Sequence, residues 1–233
     1  MKLVVFASGG GSNFDAICKA IDEGRLAAEV VGLVSDRPTA GAIRIAADRS
    51  IPTSVIDPRD FGSVDTFAEA LSTFADERGA DFAALAGFLR KIPDAFVAKF
   101  AGRLLNIHPS LLPAFGGKGM YGGRVHQAVL DYGAKWTGAT VHLVDNSYDT
   151  GPVVMQEVVP VHPGDTAETL AARVLRTEHR IYAQALQAFA LDRVRIDGRS
   201  VTIDMLSEPS TGEAARDAEV NGRSIEKTQQ NHD

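Results

Sequence analysis

The fold class follows from residues 3–14, which read Leu3-Val4-Val5-Phe6-Ala7-Ser8-Gly9-Gly10-Gly11-Ser12-Asn13-Phe14. The stretch opens with an apolar run, as expected of a strand that is buried in a parallel sheet. Glycines follow at once, and behind them apolar residues recur at helical spacing. A strand that passes through a glycine loop into a helix is the opening unit of an α/β fold.

The rest of the chain repeats this alternation of short apolar runs and segments of helical period. The predicted strands are Leu3–Ala7, Val30–Val34, Thr53–Ile56, Phe82–Ala86, Leu104–Ile107, Ala139–Val144 and Val153–Val159. The predicted helices are Phe14–Glu23, Ala40–Arg49, Val64–Arg78 and Thr166–Phe189. The pattern predicts a mostly parallel, twisted sheet with flanking helices, in a Rossmann-like arrangement. A small terminal hairpin is expected from Val194–Ile196 and Val201–Ile203.

The chain of 233 residues is expected to form one domain over residues 1–206, followed by a tail. Residues 207–233 contain few large apolar side chains, so we predict that this tail is disordered. The net charge of −6 argues against a nucleic-acid-binding surface, and no apolar stretch is long enough for a membrane span. The single cysteine, Cys18, suits a reducing compartment, so we expect a cytoplasmic protein without nucleic-acid or membrane partners.

The loop from Ser8 to Asn13 is a candidate phosphate site. Its glycines allow close backbone approach, and N–H groups at a helix N-terminus can bind an anion. Two alternatives remain open from the residues alone. The loop could be a tight turn in which Ser12 or Asn13 caps the helix. It could also belong to a dinucleotide-binding fold with Asp36 as the ribose-binding acid, although Phe14 stands where that fingerprint needs its third glycine.

A second candidate site lies at the end of the fifth predicted strand. Asn106 and His108 are two residues apart, so their side chains share one face of an extended segment. An amide can donate to an oxyanion and an imidazole can move a proton, as acyl transfer to an amine requires. A lone Asn-x-His pair is more often structural, but Asp145 and Asp149 follow the next strand. Either carboxylate could raise the pKa of His108 and fix its tautomer.

Several stretches together resemble the phosphoribosylglycinamide formyltransferase family, within the wider formyltransferase fold. The resemblance runs from residue 1 to about residue 190. The stretches are Ser8–Asn13, Leu85-Ala86-Gly87-Phe88-Leu89-Arg90, Asn106-Ile107-His108-Pro109-Ser110-Leu111-Leu112-Pro113, and Thr137-Gly138-Ala139-Thr140-Val141-His142 leading to Asp149-Thr150-Gly151-Pro152.

This resemblance implies that 10-formyltetrahydrofolate donates a formyl group to the amine of phosphoribosyl-glycinamide in purine synthesis, with no metal and no covalent enzyme intermediate. It implies a catalytic trio of Asn106, His108 and Asp149. The implied acceptor-binding residues are Gly10, Gly11, Ser12 and Asn13 for the phosphate and Glu178 for the ribose. The implied folate-binding residues are Leu89, Arg90, Lys91 and Ile92, together with Asn106 and Asp145.

The sequence departs from the family pattern in two places. Val64 stands where some relatives carry an arginine that contacts the folate, so the folate tail must be held differently or more loosely. The segment 115–123 is unusually rich in glycine, as expected either of a mobile lid or of a flexible surface loop. Lys118 and Arg124 are candidates for binding the folate glutamates.

Three other functions fit parts of the pattern. A methionyl-tRNA formyltransferase needs a basic carboxy-terminal domain, whereas this sequence closes on an acidic stretch. A formyltetrahydrofolate hydrolase would use the same trio on water, behind a regulatory domain that we do not expect here. A dinucleotide-binding regulatory module would bind nicotinamide without transferring a formyl group. We expect small-molecule substrates and a monomer or a homodimer.

Overall fold

A seven-stranded sheet forms the centre of the fold in a computed structural model, which describes residues 1–204. The strands are β1 (Lys2–Phe6), β2 (Glu29–Ser35), β3 (Thr53–Val55), β4 (Phe82–Leu85), β5 (Leu104–His108), β6 (Trp136–Leu143) and β7 (Val153–Pro160). They lie in the order β3-β2-β1-β4-β5-β6-β7. The first five pair in parallel, whereas β6 runs antiparallel to both β5 and β7. The predicted fold class is confirmed.

Helices cover both faces of the sheet. They are α1 (Ser12–Asp22), α2 (Gly41–Asp48), α3 (Val64–Glu77), α4 (Asp94–Lys99), α5 (Gly123–Tyr132) and α6 (Ala167–Ala190). On one face, Phe14 of α1 and Tyr182 of α6 are buried in a single apolar cluster. On the other face, Leu71 of α3 and Phe96 of α4 belong to a second cluster. Burying one such side chain contributes about 1.5–3 kcal/mol, so apolar contacts hold both helical layers on the sheet.

The strand order changes direction next to β1. The chain steps outward from β1 to β2 and β3 on one side, and then continues with β4 and β5 on the other. Open α/β sheets bind ligands at the carboxyl ends of the strands where this change occurs. The Ser8 N–H donates to the Gly87 carbonyl at 3.2 Å, so the loops after β1 and β4 are neighbours at this crevice.

Two regions differ from the predicted elements. β6 begins at Trp136 rather than at Ala139, and Gly138 lies inside it. A Cβ at Gly138 would meet the Glu157 carbonyl oxygen at 2.0 Å, so the close approach of β7 requires a glycine within the strand. Helices α4 and α5 have no counterpart among the predicted helices, because α4 is very short and α5 directly follows the glycine-rich segment.

The predicted terminal hairpin is confirmed as β8 (Val194–Asp197) paired antiparallel with β9 (Ser200–Ile203). The predicted tail, residues 207–233, lies outside the described residues, and the domain boundary at residue 206 stays a prediction. Within residues 1–204, no helix has both the length and the apolar character needed to cross a membrane.

Candidate active site

A cavity of about 600 Å³ lies at the carboxyl ends of the central strands. This volume is in the range of small-molecule sites. The cavity is bordered by predicted residues from each candidate group. These are Asn13, Leu89, Arg90, Lys91, Ile92, Asn106, His108, Asp145, Asp149 and Glu178. Gly10, Gly11 and Ser12 precede Asn13 in the chain but do not themselves border this cavity.

The glycine loop leaves the N-terminus of α1 without a side-chain cap. Gly11 is the N-cap residue, with a φ of 83°, and no side chain accepts a hydrogen bond there. The alternative in which Ser12 or Asn13 caps the helix is wrong, because both residues lie inside it. A Cβ on Gly11 would meet Ala42 Cα at 2.7 Å, whereas a Cβ on Gly10 would have no neighbour within 4 Å. The loop therefore offers uncapped N–H groups beside open space, as an anion site requires.

Asn13 and Glu178 contact each other across the fold. Asn13 Nδ2 donates to Glu178 Oε2 at 2.8 Å, although 165 residues separate them in the chain. Both side chains are buried, and Asn13 Oδ1 has no hydrogen-bond partner. Burial raises the pKa of Glu178, while the bond from Asn13 opposes this shift. The pair presents two oxygen acceptors in a desolvated position, which suits a ligand with hydroxyl groups.

His142 is a site residue that was not predicted from residue spacing in the sequence. It lies opposite Asn106 on the antiparallel pair β5 and β6, and its Nε2 is 3.0 Å from Asn106 Nδ2. His142 Nδ1 is 2.8 Å from the Leu143 carbonyl oxygen. The carbonyl can only accept, so Nδ1 carries a proton, and in the neutral ring Nε2 accepts from Asn106. One N–H of the Asn106 amide is thereby fixed, and the other is left for a ligand.

The imidazole of His108 lies between two hydrogen-bond acceptors. Its Nε2 is 2.9 Å from the Phe115 carbonyl oxygen, and its Nδ1 is 3.5 Å from Asp149 Oδ2. A neutral ring has only one N–H and can donate to only one of these acceptors. A protonated ring would donate to both. Each N–H of the imidazolium therefore has an acceptor nearby if His108 takes up a proton.

The pKa of His108 departs from the expected direction. Burial lowers it from its ordinary value, and the charge of Asp149 and the carbonyl of Phe115 only partly offset this effect. The expectation that a neighbouring carboxylate raises the pKa of His108 is therefore wrong for the net shift. The cause is desolvation, which penalises the charged imidazolium. Without ligands, His108 is a neutral side chain at neutral pH.

Asp149 links the two histidines to the glycine-rich segment. Its Oδ1 is 3.6 Å from His142 Nε2, and its Oδ2 accepts from the Gly117 N–H at 2.8 Å. Burial opposes its ionisation, but the neighbouring His142, His108 and Gly117 groups together lower the pKa of Asp149. Asp149 is thus an anion held in place partly by the segment 115–123, which gives that segment a contact with the site.

A tight chain crossing sets the position of Asp149. It has a φ of 57°, in the left-handed region that Asp tolerates better than most residues. A Cβ on Gly151 would meet the Leu143 carbonyl oxygen at 1.7 Å, so the loop can cross the end of β6 only with glycine there. The Asp-Thr-Gly sequence at residues 149–151 therefore has a steric basis.

The side chains of the predicted folate-binding residues make different contacts with the protein. The Leu89 N–H donates to Ser8 Oγ at 2.8 Å, and the Ile92 side chain is buried in the core. Arg90 and Lys91 form ion pairs with protein carboxylates. The backbone of this segment is therefore the part that all four residues can offer to a ligand. Asp145 accepts from Thr150 Oγ1 at 2.8 Å and borders the cavity.

The dinucleotide-binding alternative needs Asp36 to bind a ribose, and the structure does not support this role. The Asp36 side chain is completely buried, and its Oδ2 lies 2.7 Å from Arg90 Nε, so the carboxylate is not accessible to a ribose. Phe14, which stands in place of the third glycine of the fingerprint, is fully buried in the core. Among residues 1–204, no cluster of three or more His, Cys, Asp or Glu is arranged to hold a metal ion.

Comparisons with known proteins agree with the resemblance predicted from the sequence. A family model described as formyl transferase matches residues 1–186. A phosphoribosylglycinamide formyltransferase of Escherichia coli (strain K12) is 35% identical over 215 residues, which cover 92% of this chain and 99% of that protein. The chloroplastic phosphoribosylglycinamide formyltransferase of Vigna unguiculata is 44% identical over 84% of this chain. The chain spans 64% of the length of that plant relative, which is less than two thirds.

A similar structure has also been solved. It is glycinamide ribonucleotide transformylase 1 from Symbiobacterium toebii, which matches with a TM-score of 0.82 and 38% identity. The match covers 87% of this chain and 93% of that chain.

Proposed function

Because the chain belongs to the formyl transferase family, we propose that it transfers a formyl group from 10-formyltetrahydrofolate to the amine of 5-phosphoribosyl-glycinamide in de novo purine biosynthesis. Relatives named for this activity support the proposal. The observation that carries it is the single cavity that joins Asn13 and Glu178 to Asn106, His108 and Asp149. One cavity of this kind can hold both substrates with their reacting groups side by side.

One part of the site offers N–H donors that suit the acceptor's phosphate and oxygen acceptors that suit its ribose hydroxyls. The proposed phosphate residues are Gly10, Gly11, Ser12 and Asn13, whose backbone lies at the uncapped start of α1. Glu178 would accept hydrogen bonds from the ribose hydroxyls. A second ribose hydroxyl that donates to Asn13 Oδ1 would satisfy an atom that otherwise has no partner.

The folate is proposed to lie against the backbone of Leu89, Arg90, Lys91 and Ile92, with Asp145 and Asn106 nearby. Backbone N–H and C=O groups suit a pterin ring, because its edge alternates hydrogen-bond donors and acceptors. Arg90 and Lys91 already have carboxylate partners, so their charges are not reserved for the folate. Lys118 and Arg124 remain candidates for the folate glutamates.

The reaction is proposed to pass through a tetrahedral intermediate. The amine nitrogen attacks the formyl carbon and a C–N bond forms. The bond from that carbon to the folate nitrogen then breaks as the folate nitrogen receives the proton that the amine lost to His108, which leaves neutral tetrahydrofolate. Negative charge develops on the formyl oxygen before that bond breaks. The Asn106 N–H that is not bonded to His142 is proposed to donate to this oxygen. A donor aimed at such an oxyanion contributes about 2.7–4 kcal/mol to the transition state.

His108 is proposed to take the proton that the amine loses. The ring is neutral before the reaction because burial lowers its pKa, so it can act as a base. A proton taken up at Nδ1, directly or through a water molecule held by Asp149, would complete an ion pair with the Asp149 carboxylate. The Phe115 carbonyl would accept from Nε2 of the same ring.

A transfer assay tests the proposed function. The purified protein is incubated with 10-formyltetrahydrofolate, with and without 5-phosphoribosyl-glycinamide, and the formylated acceptor is measured. We expect product only when the acceptor is present. Release of formate at the same rate without the acceptor would instead indicate a formyltetrahydrofolate hydrolase. A cytoplasmic location and a monomeric or homodimeric state stay predictions.

A further inference from the structure

Asp36, Asp57 and Arg90 form a charged cluster that the proposed reaction does not use. Asp36 directly follows β2, and its side chain is completely buried. Its Oδ2 lies 2.7 Å from Arg90 Nε, while the Arg90 guanidinium is also 3.8 Å from Asp57 Oδ1. Arg90 thus reaches from the loop after β4 past the end of β1 to the ends of β2 and β3.

The Asp36 carboxylate is not fully satisfied by the protein. Its Oδ1 is buried and has no hydrogen-bond partner, and Arg37 approaches its Oδ2 only to 3.8 Å. An ion pair with one fully buried partner stabilises a fold little compared with apolar residues, because the Asp36 carboxylate loses its hydration while Arg90 stays partly exposed. The arrangement is better explained by the orientation that it gives to Arg90 than by a gain in stability.

The position of Arg90 matters because its neighbours form the folate-side segment. The Leu89 N–H is held by Ser8 Oγ, and the Ile92 side chain is buried in the core. The ion pair with Asp36 fixes Arg90, which lies between Leu89 and Ile92 in the chain. The segment 88–92 borders the cavity along its whole length, so the conformation that these contacts give to its backbone decides how its N–H and C=O groups meet a ligand.

We propose that Asp36 is a positioning residue for folate binding. Through Arg90 it holds the backbone of residues 88–92 in the conformation that receives the pterin ring. The inference rests on the proposed function, since it assumes that this segment binds the folate. Neither Asp36 nor Arg90 contacts the Asn13 and Glu178 pair, so acceptor binding is not expected to depend on the ion pair.

The test compares Asp36→Asn with Asp94→Asn. Asp94 pairs with Lys91 at 3.0 Å in an exposed position, so its variant removes a carboxylate that is tied to the same segment from the solvent side. The measurements are the KM of each substrate, kcat, thermal unfolding and direct binding of tetrahydrofolate. For Asp36→Asn we expect the folate KM and the Kd of tetrahydrofolate to rise about tenfold, because a charge-assisted hydrogen bond is lost. For Asp94→Asn we expect changes within about twofold, as for most exposed ion pairs.

A second pair of variants keeps the test valid if Asp36→Asn does not fold. Arg90→Met removes the guanidinium, whereas Arg90→Lys keeps a cation near Asp36. We expect Arg90→Lys to retain most of the folate affinity that Arg90→Met loses, with the acceptor KM unchanged in both. A purely structural role would lower stability without this folate-specific pattern.

The outcomes separate the inference from the function on which it rests. If the wild-type protein transfers the formyl group, but Asp36→Asn changes both KM values equally or neither, the inference is overturned and the function stands. If the wild-type protein neither binds tetrahydrofolate nor transfers the formyl group, the proposed function is overturned and the inference with it.

Discussion

His142 Nε2 lies 3.0 Å from Asn106 Nδ2, across the antiparallel strands β5 and β6. The histidine ring is itself held by the Leu143 carbonyl at 2.8 Å, so it cannot turn without losing a hydrogen bond. The direction of the Asn106 amide is therefore set by a residue of the neighbouring strand. Because an oxyanion donor must point at a defined position, this contact is expected to matter for the reaction rate.

Replacing His142 with alanine should lower kcat without a comparable effect on substrate binding. The Asn106 amide would lose its fixed orientation, and a misplacement of this kind can cost about 10²-fold in rate. Steady-state kinetics with both substrates would show the effect. His162→Ala, at an exposed position, is the matched control and should behave like the wild-type protein. An unchanged kcat in His142→Ala would show that Asn106 does not depend on this contact.

Valine at position 10 should weaken acceptor binding while leaving the fold intact. A side chain on Gly10 would enter open space where the phosphate is proposed to lie. We expect a large rise in the acceptor KM, an unchanged folate KM and an unchanged melting temperature. Gly11→Ala is the contrasting variant, because Gly11 has a φ of 83° and a Cβ there would meet Ala42. It should lose about 1 kcal/mol or more of stability. Equal effects of Gly10→Val on both KM values would contradict the phosphate assignment.

Glutamine at position 178 should stabilise the ligand-free protein and impair acceptor binding. Burial raises the pKa of Glu178 above its ordinary value of 4.5, so ionisation near neutral pH costs the folded state free energy. The folded state binds the proton more tightly than the unfolded state, and wild-type stability falls as pH rises through this range. Glu178→Gln removes the ionisation.

The stability gain of Glu178→Gln should therefore depend on pH. Thermal unfolding should show little difference from wild type below the ordinary pKa and a growing difference toward neutral pH, at about 2–4 °C for each kcal/mol. The acceptor KM should rise over the same range because a carboxylate acceptor is lost. A lower melting temperature at neutral pH would mean that the carboxylate stabilises the fold instead.

Much of the fold could be predicted because short apolar runs and helical periods are local signals. The first strand, the glycine loop and α1 follow one another within residues 2–22, so neighbouring residues determine them. The short helices were harder to predict. In α5, the buried residues are Val125, His126 and Val129, which is too short and too polar a pattern to stand out beside a glycine-rich segment.

The site could be predicted only in part from residue spacing. Asn106 and His108 are recognisable because they are two residues apart on one strand. The role of His142 depends on the pairing register of β5 with β6. This register cannot be predicted from the sequence of either strand alone. The direction of the His108 pKa shift likewise depends on how deeply the tertiary structure buries the ring.

The rate should depend on pH through His108. Burial places the pKa of His108 below its ordinary value of 6.5, and the charge of Asp149 partly counteracts that shift. If the neutral ring is the base, activity falls as pH drops through this pKa. Asp149→Asn removes the counteracting charge, so the acidic limb of the kcat profile should move to lower pH. A limb that moves to higher pH, or does not move, would show that Asp149 does not act on the protonation of His108.

The most direct test of whether His108 and Asp149 act as one unit is a double-mutant cycle on kcat with His108→Ala and Asp149→Asn. Loss of a general base typically costs about 10²–10⁴ in rate, and Asp149 is proposed to act mainly by orienting His108 and stabilising its cation. Groups that act as one unit show strongly non-additive losses. We predict that the double variant is little slower than His108→Ala alone. A loss in the double variant equal to the product of the two single losses would contradict it.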